Sequence, residues 1–183
     1  MTPASIITLS RIALIPVFMW AVISSAPYSA VLALIIFIVA SVTDAVDGYV
    51  ARRYNQVTNF GKFIDPLADK LLVTSALLLF VDRGQVSAVA AMIIIAREFL
   101  ITSLRLVAIS EGQVIPAGWE GKCKTFVQIL CIAFLLTENG VAELLPEQGL
   151  HWDDVAVWLM AAVTAWSGLA YLLKHRGVLR NHR

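Results

Sequence analysis

The sequence predicts an all-α integral membrane protein with six transmembrane helices and both termini in the cytoplasm. Of its 183 residues, 59% are hydrophobic and only 15% are charged. The mean hydropathy of +0.79 is too high for a soluble domain of this length. Six apolar segments are long enough to cross a bilayer, and the Lys and Arg residues fall in alternate connections between them.

The six predicted spans are residues 6–25, 29–51, 64–81, 87–109, 126–137 with their flanks, and 155–173. We expect the first to be a retained helix, because Arg11 is the only basic residue near it and a cleavable signal needs a charged start. No linker, repeat or low-complexity tract interrupts the chain, so residues 1–183 are expected to form a single domain.

Basic residues mark the cytoplasmic side of the predicted bundle. They lie after the second span, between the fourth and fifth spans and in the C-terminal tail, as Arg52, Arg53, Lys62, Lys122, Lys124, Lys174, Arg176, Arg180 and Arg183. The opposite connections contain Arg83 and six acidic residues. The sequence therefore predicts a multi-pass protein of the cell membrane.

Charge and cysteine content exclude two classes of function. A net charge of +1, with basic residues spread thinly, argues against a nucleic-acid partner, which would require a basic surface. Cys123 and Cys131 lie eight residues apart in an apolar run without a CxxC pattern. We therefore expect neither a disulfide framework nor a zinc site, and interpret both cysteines as packing residues.

Four aspartates lie close together near the predicted cytoplasmic face: Asp44, Asp47, Asp65 and Asp69. On a helix, Asp44, Asp47, Gly48 and Ala51 fall within about 100° of one face, with two carboxylates beside a slot of small residues. Arg52 follows the slot and is suited to bind a phosphate. Asp65 and Asp69 are four residues apart and also share a helix face.

Carboxylates in this setting require compensation. One aspartate at a helix centre costs about 2.5 to 3.5 kcal/mol on insertion scales. Four converging carboxylates would also repel one another and would tend to protonate. A divalent cation offsets both effects, and an all-oxygen site suits Mg²⁺ or Mn²⁺. The number of carboxylates favours two ions.

The residues of this region match the pattern D-x2-D-G-x2-A-R-x8-G-x3-D-x3-D and thereby resemble the CDP-alcohol phosphatidyltransferase family. The matching positions are Asp44, Asp47, Gly48, Ala51, Arg52, Gly61, Asp65 and Asp69. With ordinary residue frequencies, eight fixed positions match by chance about once in ten billion starts. Many relatives carry Asn-x-x-Thr-x-x-Arg in the first helix, where this chain has Ser5 before Thr8 and Arg11.

The resemblance implies transfer of a substituted phosphate from a CDP-linked lipid to an alcohol, with release of CMP. It implies metal ligands at Asp44, Asp47 and Asp65, and at Asp69 a general base that also touches metal. It also implies a CDP-lipid site formed by Gly48, Ala51, Arg52 and Gly61, and a homodimer. Charge neutralisation on the leaving group and a positioned carboxylate base are chemically suited to this reaction.

Cations in and after the fourth span indicate an anionic acceptor alcohol: Arg97, Arg105, Lys122 and Lys124, with the hydroxyl of Thr125. The segments IAREFLITSLR and GWEGKCKTFVQ are similar to those of bacterial phosphatidylglycerophosphate synthases. That similarity implies CDP-diacylglycerol and glycerol 3-phosphate as the substrates, with these residues around the acceptor phosphate.

Each of these features also has a structural interpretation. Asp65 before Pro66 fits a helix N-cap, and Asp44 with Asp47 fits a helix end. Gly48 and Ala51 fit helix packing, whereas Arg52, Arg53, Lys62, Lys122 and Lys124 fit topology signals. Arg97 and Glu98 fit a structural ion pair.

Other functions are also compatible with parts of the pattern. A sister enzyme would use inositol phosphate, serine or phosphatidylglycerol as its acceptor, although basic residues disfavour neutral acceptors. A cation carrier or channel could use intramembrane aspartates, but Arg52 and the apolar segment LLVTSALLLF argue against a polar path. A non-catalytic scaffold is disfavoured because all eight motif positions are intact.

Overall fold

A computed structural model describes residues 3–26, 28–54, 59–110, 118–141 and 152–174. Side chains are described for residues 10–26, 28–43, 68, 70–109, 118–137 and 152–174. The described residues form six α-helices and contain no strand: α1 (Pro3–Ile23), α2 (Ser29–Tyr54), α3 (Asn59–Asp82), α4 (Ala88–Ser110), α5 (Trp119–Val141) and α6 (Trp152–Lys174). The predicted all-α class with six helices is confirmed.

The chain divides into two compact units. Unit 1 comprises residues 1–85 and 132–150, and unit 2 comprises residues 86–131 and 151–183. The expectation of a single domain over residues 1–183 stays a prediction.

Unit 1 is built around α1, which packs against both α2 and α3, while α2 and α3 also contact each other. The rings of Phe18 and Phe37 lie 6.1 Å apart at their centroids and are tilted by 40°. Small residues such as Ala21, Ala33 and Ala76 are fully buried between the helices. Small buried residues let the backbones approach closely, which is how helices pack in membranes.

Hydrogen bonds fix the end of α3 and the start of α4. Gly84 has φ of +72°, and the amides of Gly84 and Gln85 donate to the carbonyls of Val81 and Phe80. This is a Schellman motif, in which glycine adopts the left-handed conformation at low steric cost. The Ser87 hydroxyl then accepts a hydrogen bond from the Val89 amide at 3.2 Å and caps α4.

Arg83, the basic residue predicted in the outer connections, has a specific local partner. Its Nη2 donates a hydrogen bond to the carbonyl of Val22, in the last turn of α1. Carbonyls in the last turn of a helix lack partners within the helix, so a cation there is stabilising.

Unit 2 is built on the contact between α4 and α6. Ile94 of α4 and Val157 and Met160 of α6 are buried in its apolar interior. The charged residues Glu98 and Lys124 are also buried, and the side chain of Arg97 is largely buried. Unit 2 therefore carries charge in its interior.

Among the described residues, α6 is the one helix long and apolar enough to cross a membrane by length and composition. Two shorter apolar helical segments, Ser10–Ile23 and Ser29–Thr43, lie in α1 and α2. Helices α3 and α4 carry several charged residues within their lengths. Large apolar side chains are nevertheless exposed on many helices, including Trp20, Ile35, Leu78, Met92, Leu130 and Trp166.

Candidate active site

The eight motif residues lie on two successive helices of unit 1. Helix α2 contains Asp44, Asp47, Gly48, Ala51 and Arg52, and α3 contains Gly61, Asp65 and Asp69. The side chains of all eight lie outside the described residues, so the predicted metal and nucleotide contacts stay predictions. Among the side chains that are described, no group of three or more His, Cys, Asp or Glu residues is placed to hold a metal ion.

The helix bounds place the two aspartate pairs at matching distances from the 55–58 connection. At a rise of about 1.5 Å per residue, Asp44 lies about 15 Å before the end of α2, and Asp69 lies about 15 Å after the start of α3. Asp47 and Asp65 lie about 10 Å from the same two helix ends. Because α2 and α3 contact each other, this register allows both pairs to contribute to one site.

Two structural interpretations of the aspartates are wrong. Helix α3 begins at Asn59, so Asp65 lies well inside the helix and is not its N-cap. Helix α2 continues to Tyr54, so Asp44 and Asp47 do not mark a helix end. Apolar residues set the limits of a predicted span, whereas backbone hydrogen bonding extends each helix beyond the apolar run.

A cluster of three charges, two of them buried, joins α4 to α5 in unit 2. Lys124 Nζ lies 2.5 Å from Oε1 of Glu98, and Arg97 Nη1 lies 3.3 Å from the same oxygen. The exposed fractions of the side chains are 12% for Arg97 and 5% each for Glu98 and Lys124. The structural ion pair of Arg97 with Glu98 is therefore present, and Lys124 extends it to a second helix.

Arg105, the second predicted acceptor cation of α4, packs against an aromatic ring of α6. Its Cζ atom lies 5.3 Å from the ring centroid of Tyr171, within the range of a cation–π interaction. Its Nε is buried and has no hydrogen-bond partner among the described residues. The Tyr171 ring thus packs against the guanidinium and limits its movement.

The five predicted acceptor residues are not all on one surface. Lys124 is buried, but Lys122 and Thr125 lie on an exposed face of α5. The Thr125 hydroxyl donates to the Gly121 carbonyl at 3.0 Å, a bond within its own helix. The structure thus brings Arg97 and Lys124 together and leaves Lys122 and Thr125 on another face.

The sequence interpretation missed a buried polar stripe on α6, formed by Thr164, Ser167, Gly168 and Tyr171. Ser167 Oγ accepts a hydrogen bond from Arg97 Nη2 at 2.8 Å and donates one to the Glu120 carbonyl at 3.0 Å. The Thr164 hydroxyl and the amide nitrogen of buried Gln128 have no hydrogen-bond partner among the described residues. The signal was visible as helical spacing of non-aliphatic residues in an apolar span.

Comparison with known proteins identifies the family. The sequence model for CDP-alcohol phosphatidyltransferase matches residues 1–166. The chain belongs to the CDP-alcohol phosphatidyltransferase family. All eight motif positions of this family lie within the matched residues. Ser167 and Gly168 come directly after the end of the matched region.

Several CDP-alcohol phosphatidyltransferases resemble this chain over nearly its full length. It is 43% identical to the CDP-diacylglycerol–glycerol-3-phosphate 3-phosphatidyltransferase of Bacillus subtilis (strain 168), over 95% of each chain. A protein of the same name from Escherichia coli (strain K12) is 37% identical over 96% of this chain and 95% of its own. Another, from Rickettsia bellii (strain RML369-C), is 34% identical over 90% of each chain.

Proposed function

We propose that this chain transfers the phosphatidyl group from CDP-diacylglycerol to glycerol 3-phosphate, giving phosphatidylglycerophosphate and CMP. The observation that carries the proposal is the 43% identity, over 95% of both chains, to a Bacillus subtilis protein named for this reaction. The intact eight-residue motif and the buried cations of unit 2 are consistent with it.

The donor set of α2 and α3 fits a divalent metal centre. Asp44, Asp47, Asp65 and Asp69 offer only carboxylate oxygens, the ligands that Mg²⁺ and Mn²⁺ prefer. Their matching distances from the 55–58 connection support a shared site, and four carboxylates suit two ions. When bound, the metal would neutralise charge on the diphosphate of the CDP-lipid.

The chain's own residues then supply binding and proton transfer. Gly48, Ala51 and Gly61 leave space for the nucleotide, with Arg52 near its phosphates. Asp69 takes the proton from the primary hydroxyl of glycerol 3-phosphate. That hydroxyl oxygen bonds to the phosphorus atom that carries diacylglycerol, the bond from this phosphorus to the bridging oxygen breaks, and CMP leaves with the bond's electrons.

Three cations would bind the acceptor phosphate. Lys124 is buried and Arg97 and Arg105 are half-buried, and all three are held in place, because Glu98 contacts the first two and the Tyr171 ring contacts Arg105. Charged hydrogen bonds to phosphate are strongest where water is excluded. Lys122 and Thr125 are also proposed to contact the acceptor phosphate, as the similarity of the segment GWEGKCKTFVQ implies.

We further propose six membrane spans with both termini and the active site at the cytoplasmic face. The exposed apolar side chains on many helices support burial in lipid. Charged residues lie within the lengths of α3 and α4, as expected where polar groups in a membrane helix serve a function. A homodimer and the single-domain organisation are part of this proposal.

CMP release from CDP-diacylglycerol by the purified protein tests the reaction. Glycerol 3-phosphate, inositol phosphate, serine, phosphatidylglycerol and no acceptor are compared with Mg²⁺ or Mn²⁺. We expect release that requires both the metal and glycerol 3-phosphate. Activity with another acceptor alone would preserve the reaction class and overturn the acceptor assignment. If no acceptor supports release, the proposed reaction is wrong, and cation flux in proteoliposomes tests the transport alternative.

A further inference from the structure

The guanidinium of Arg97 donates hydrogen bonds to side chains of two helices, its own α4 and α6. Its Nη2 donates to Ser167 Oγ at 2.8 Å, and its Nη1 donates to Glu98 Oε1 at 3.3 Å. Ser167 in turn donates its single hydroxyl proton to the Glu120 carbonyl at 3.0 Å. Because the hydroxyl proton points to this carbonyl of α5, the lone pairs of the hydroxyl oxygen can accept the hydrogen bond from Arg97.

Gly168 provides the space in which the Arg97 side chain lies. A Cβ atom built at Gly168 would lie 2.7 Å from Arg97 Cγ, 3.4 Å from Nε and 3.7 Å from Cδ. The closest of these atoms, Cγ, is the second carbon of the side chain. Movement of Cγ would therefore displace the guanidinium. Any larger residue at this position would therefore shift Arg97.

Gly121 provides an internal comparison within the same unit. A Cβ atom built there would meet Nη2 of Arg105 at 3.9 Å, an ordinary van der Waals contact. Both glycines lie in helices. Of the two, only Gly168 would place its Cβ atom closer than 3.0 Å to an atom of an arginine side chain. Close packing of helices alone does not explain Gly168, because no backbone atom is among its nearest neighbours.

The same helix face also contacts the second arginine. Tyr171 lies one turn beyond Gly168, and its ring is 5.3 Å from Arg105 Cζ. Buried residues of α6 thus contact both arginines of α4. Ser167 and Gly168 contact Arg97, and the Tyr171 ring contacts Arg105.

We propose that Ser167 and Gly168 are positioning residues that hold the Arg97 guanidinium in the orientation required to bind the phosphate of the acceptor alcohol. This inference rests on the proposed function and assigns roles to residues beyond the family match. A charged hydrogen bond to phosphate contributes about tenfold to a hundredfold to binding, and a displaced guanidinium loses it. We therefore expect Gly168→Ala to raise KM for glycerol 3-phosphate by about tenfold to a hundredfold.

The experiment measures KM for both substrates, together with thermal stability in detergent, for wild type, Gly168→Ala, Ser167→Ala and the matched control Gly121→Ala. We expect both α6 variants to raise KM for glycerol 3-phosphate, with the KM for CDP-diacylglycerol and the melting temperature near wild type. The control should leave both KM values unchanged. Retained KM values in Gly168→Ala, or equal increases for the two substrates, would overturn the inference.

A double-mutant cycle separates positioning of Arg97 from a general packing role. If Gly168 acts through Arg97, Gly168→Ala should have no further effect on KM when Arg97→Ala has already removed the side chain. An additive effect in the double variant would overturn the inference. Wild-type protein that releases no CMP with glycerol 3-phosphate would instead refute the proposed function, and the assigned role would fail with it.

Discussion

Lys124 of α5 and Glu98 of α4 form a buried ion pair, with 2.5 Å between Nζ and Oε1. The same oxygen lies 3.3 Å from Nη1 of Arg97. One carboxylate thus holds two cations from two helices in an apolar setting. Removal of its charge would leave the cations close together without this compensation.

We expect Glu98→Gln to destabilise the folded protein. Breaking a buried ion pair by removing one partner costs about 3 to 5 kcal/mol. Thermal unfolding in detergent measures the effect, and Asp154→Asn, on the exposed first turn of α6, serves as the control. A melting temperature equal to that of wild type would mean that the pair does not stabilise the fold.

Asp69→Asn is expected to lower the rate of CMP release by about a hundredfold to ten-thousandfold, the usual contribution of a general base. Binding of CDP-diacylglycerol should largely persist, because three carboxylates remain. Turnover and equilibrium binding are measured on the same preparation. Asp82→Asn, on an exposed residue at the far end of α3, is the matched control. Retained turnover would eliminate Asp69 as the base.

Combined replacement of Lys124 and Arg105 by alanine should act mainly on the acceptor. Each charged hydrogen bond contributes about 1.5 to 3 kcal/mol, so KM for glycerol 3-phosphate should rise at least about tenfold. The KM for CDP-diacylglycerol should change far less. Lys174→Ala, at the exposed end of α6, controls for loss of a surface cation. Equal changes for both substrates would indicate general electrostatics or misfolding.

Burial predicts unequal contributions from the two lysines of α5. Lys124 is 5% exposed, whereas Lys122 lies on the exposed face, where water and salt weaken its attraction for phosphate. We expect Lys124→Ala to raise KM for glycerol 3-phosphate more than Lys122→Ala does. Raising the salt concentration should reduce the effect of Lys122→Ala further. The reverse ranking would place the acceptor phosphate on the exposed face.

Removal of divalent metal should abolish CMP release. Chelation with EDTA is expected to stop turnover, and addition of Mg²⁺ or Mn²⁺ should restore it, because the four carboxylates form an oxygen-only donor set. The Asp44→Asn and Asp65→Asn variants should require higher metal concentrations for half-maximal activity. Undiminished activity in EDTA would refute the metal assignment.

The six helices were predictable because each contains a long apolar run, but several boundaries were not. Helix α5 begins at Trp119, and therefore includes Lys122 and Lys124, which the predicted span excluded. Hydropathy falls where charges begin, yet a helix continues as long as its backbone hydrogen bonds are satisfied. The start of α3 at Asn59, five residues before the predicted span, has the same cause.

The site was predictable where spacing alone carries the chemistry, as in the aspartate motif. The contacts of Arg97 with Ser167 and Gly168 were not predictable, because they join residues 70 or more positions apart through packing of α4 on α6. The sequence displays the polar stripe of α6 but does not indicate which helix it faces. The opposite exposure of Lys122 and Lys124 likewise follows only from the packing of α5.

The charged side chains of α4 have a consequence for the order of synthesis. In the proposed six-span topology, a charged residue at the centre of a helix costs about 2.5 to 3.5 kcal/mol, and two partners of the α4 charges, Lys124 and Ser167, emerge from the ribosome later. A nascent chain that ends after α4 would lack both partners. In the proposed six-span topology, α4 would gain these partners only after α5 and α6 have been made, so membrane insertion of this part of the protein would be completed late in synthesis.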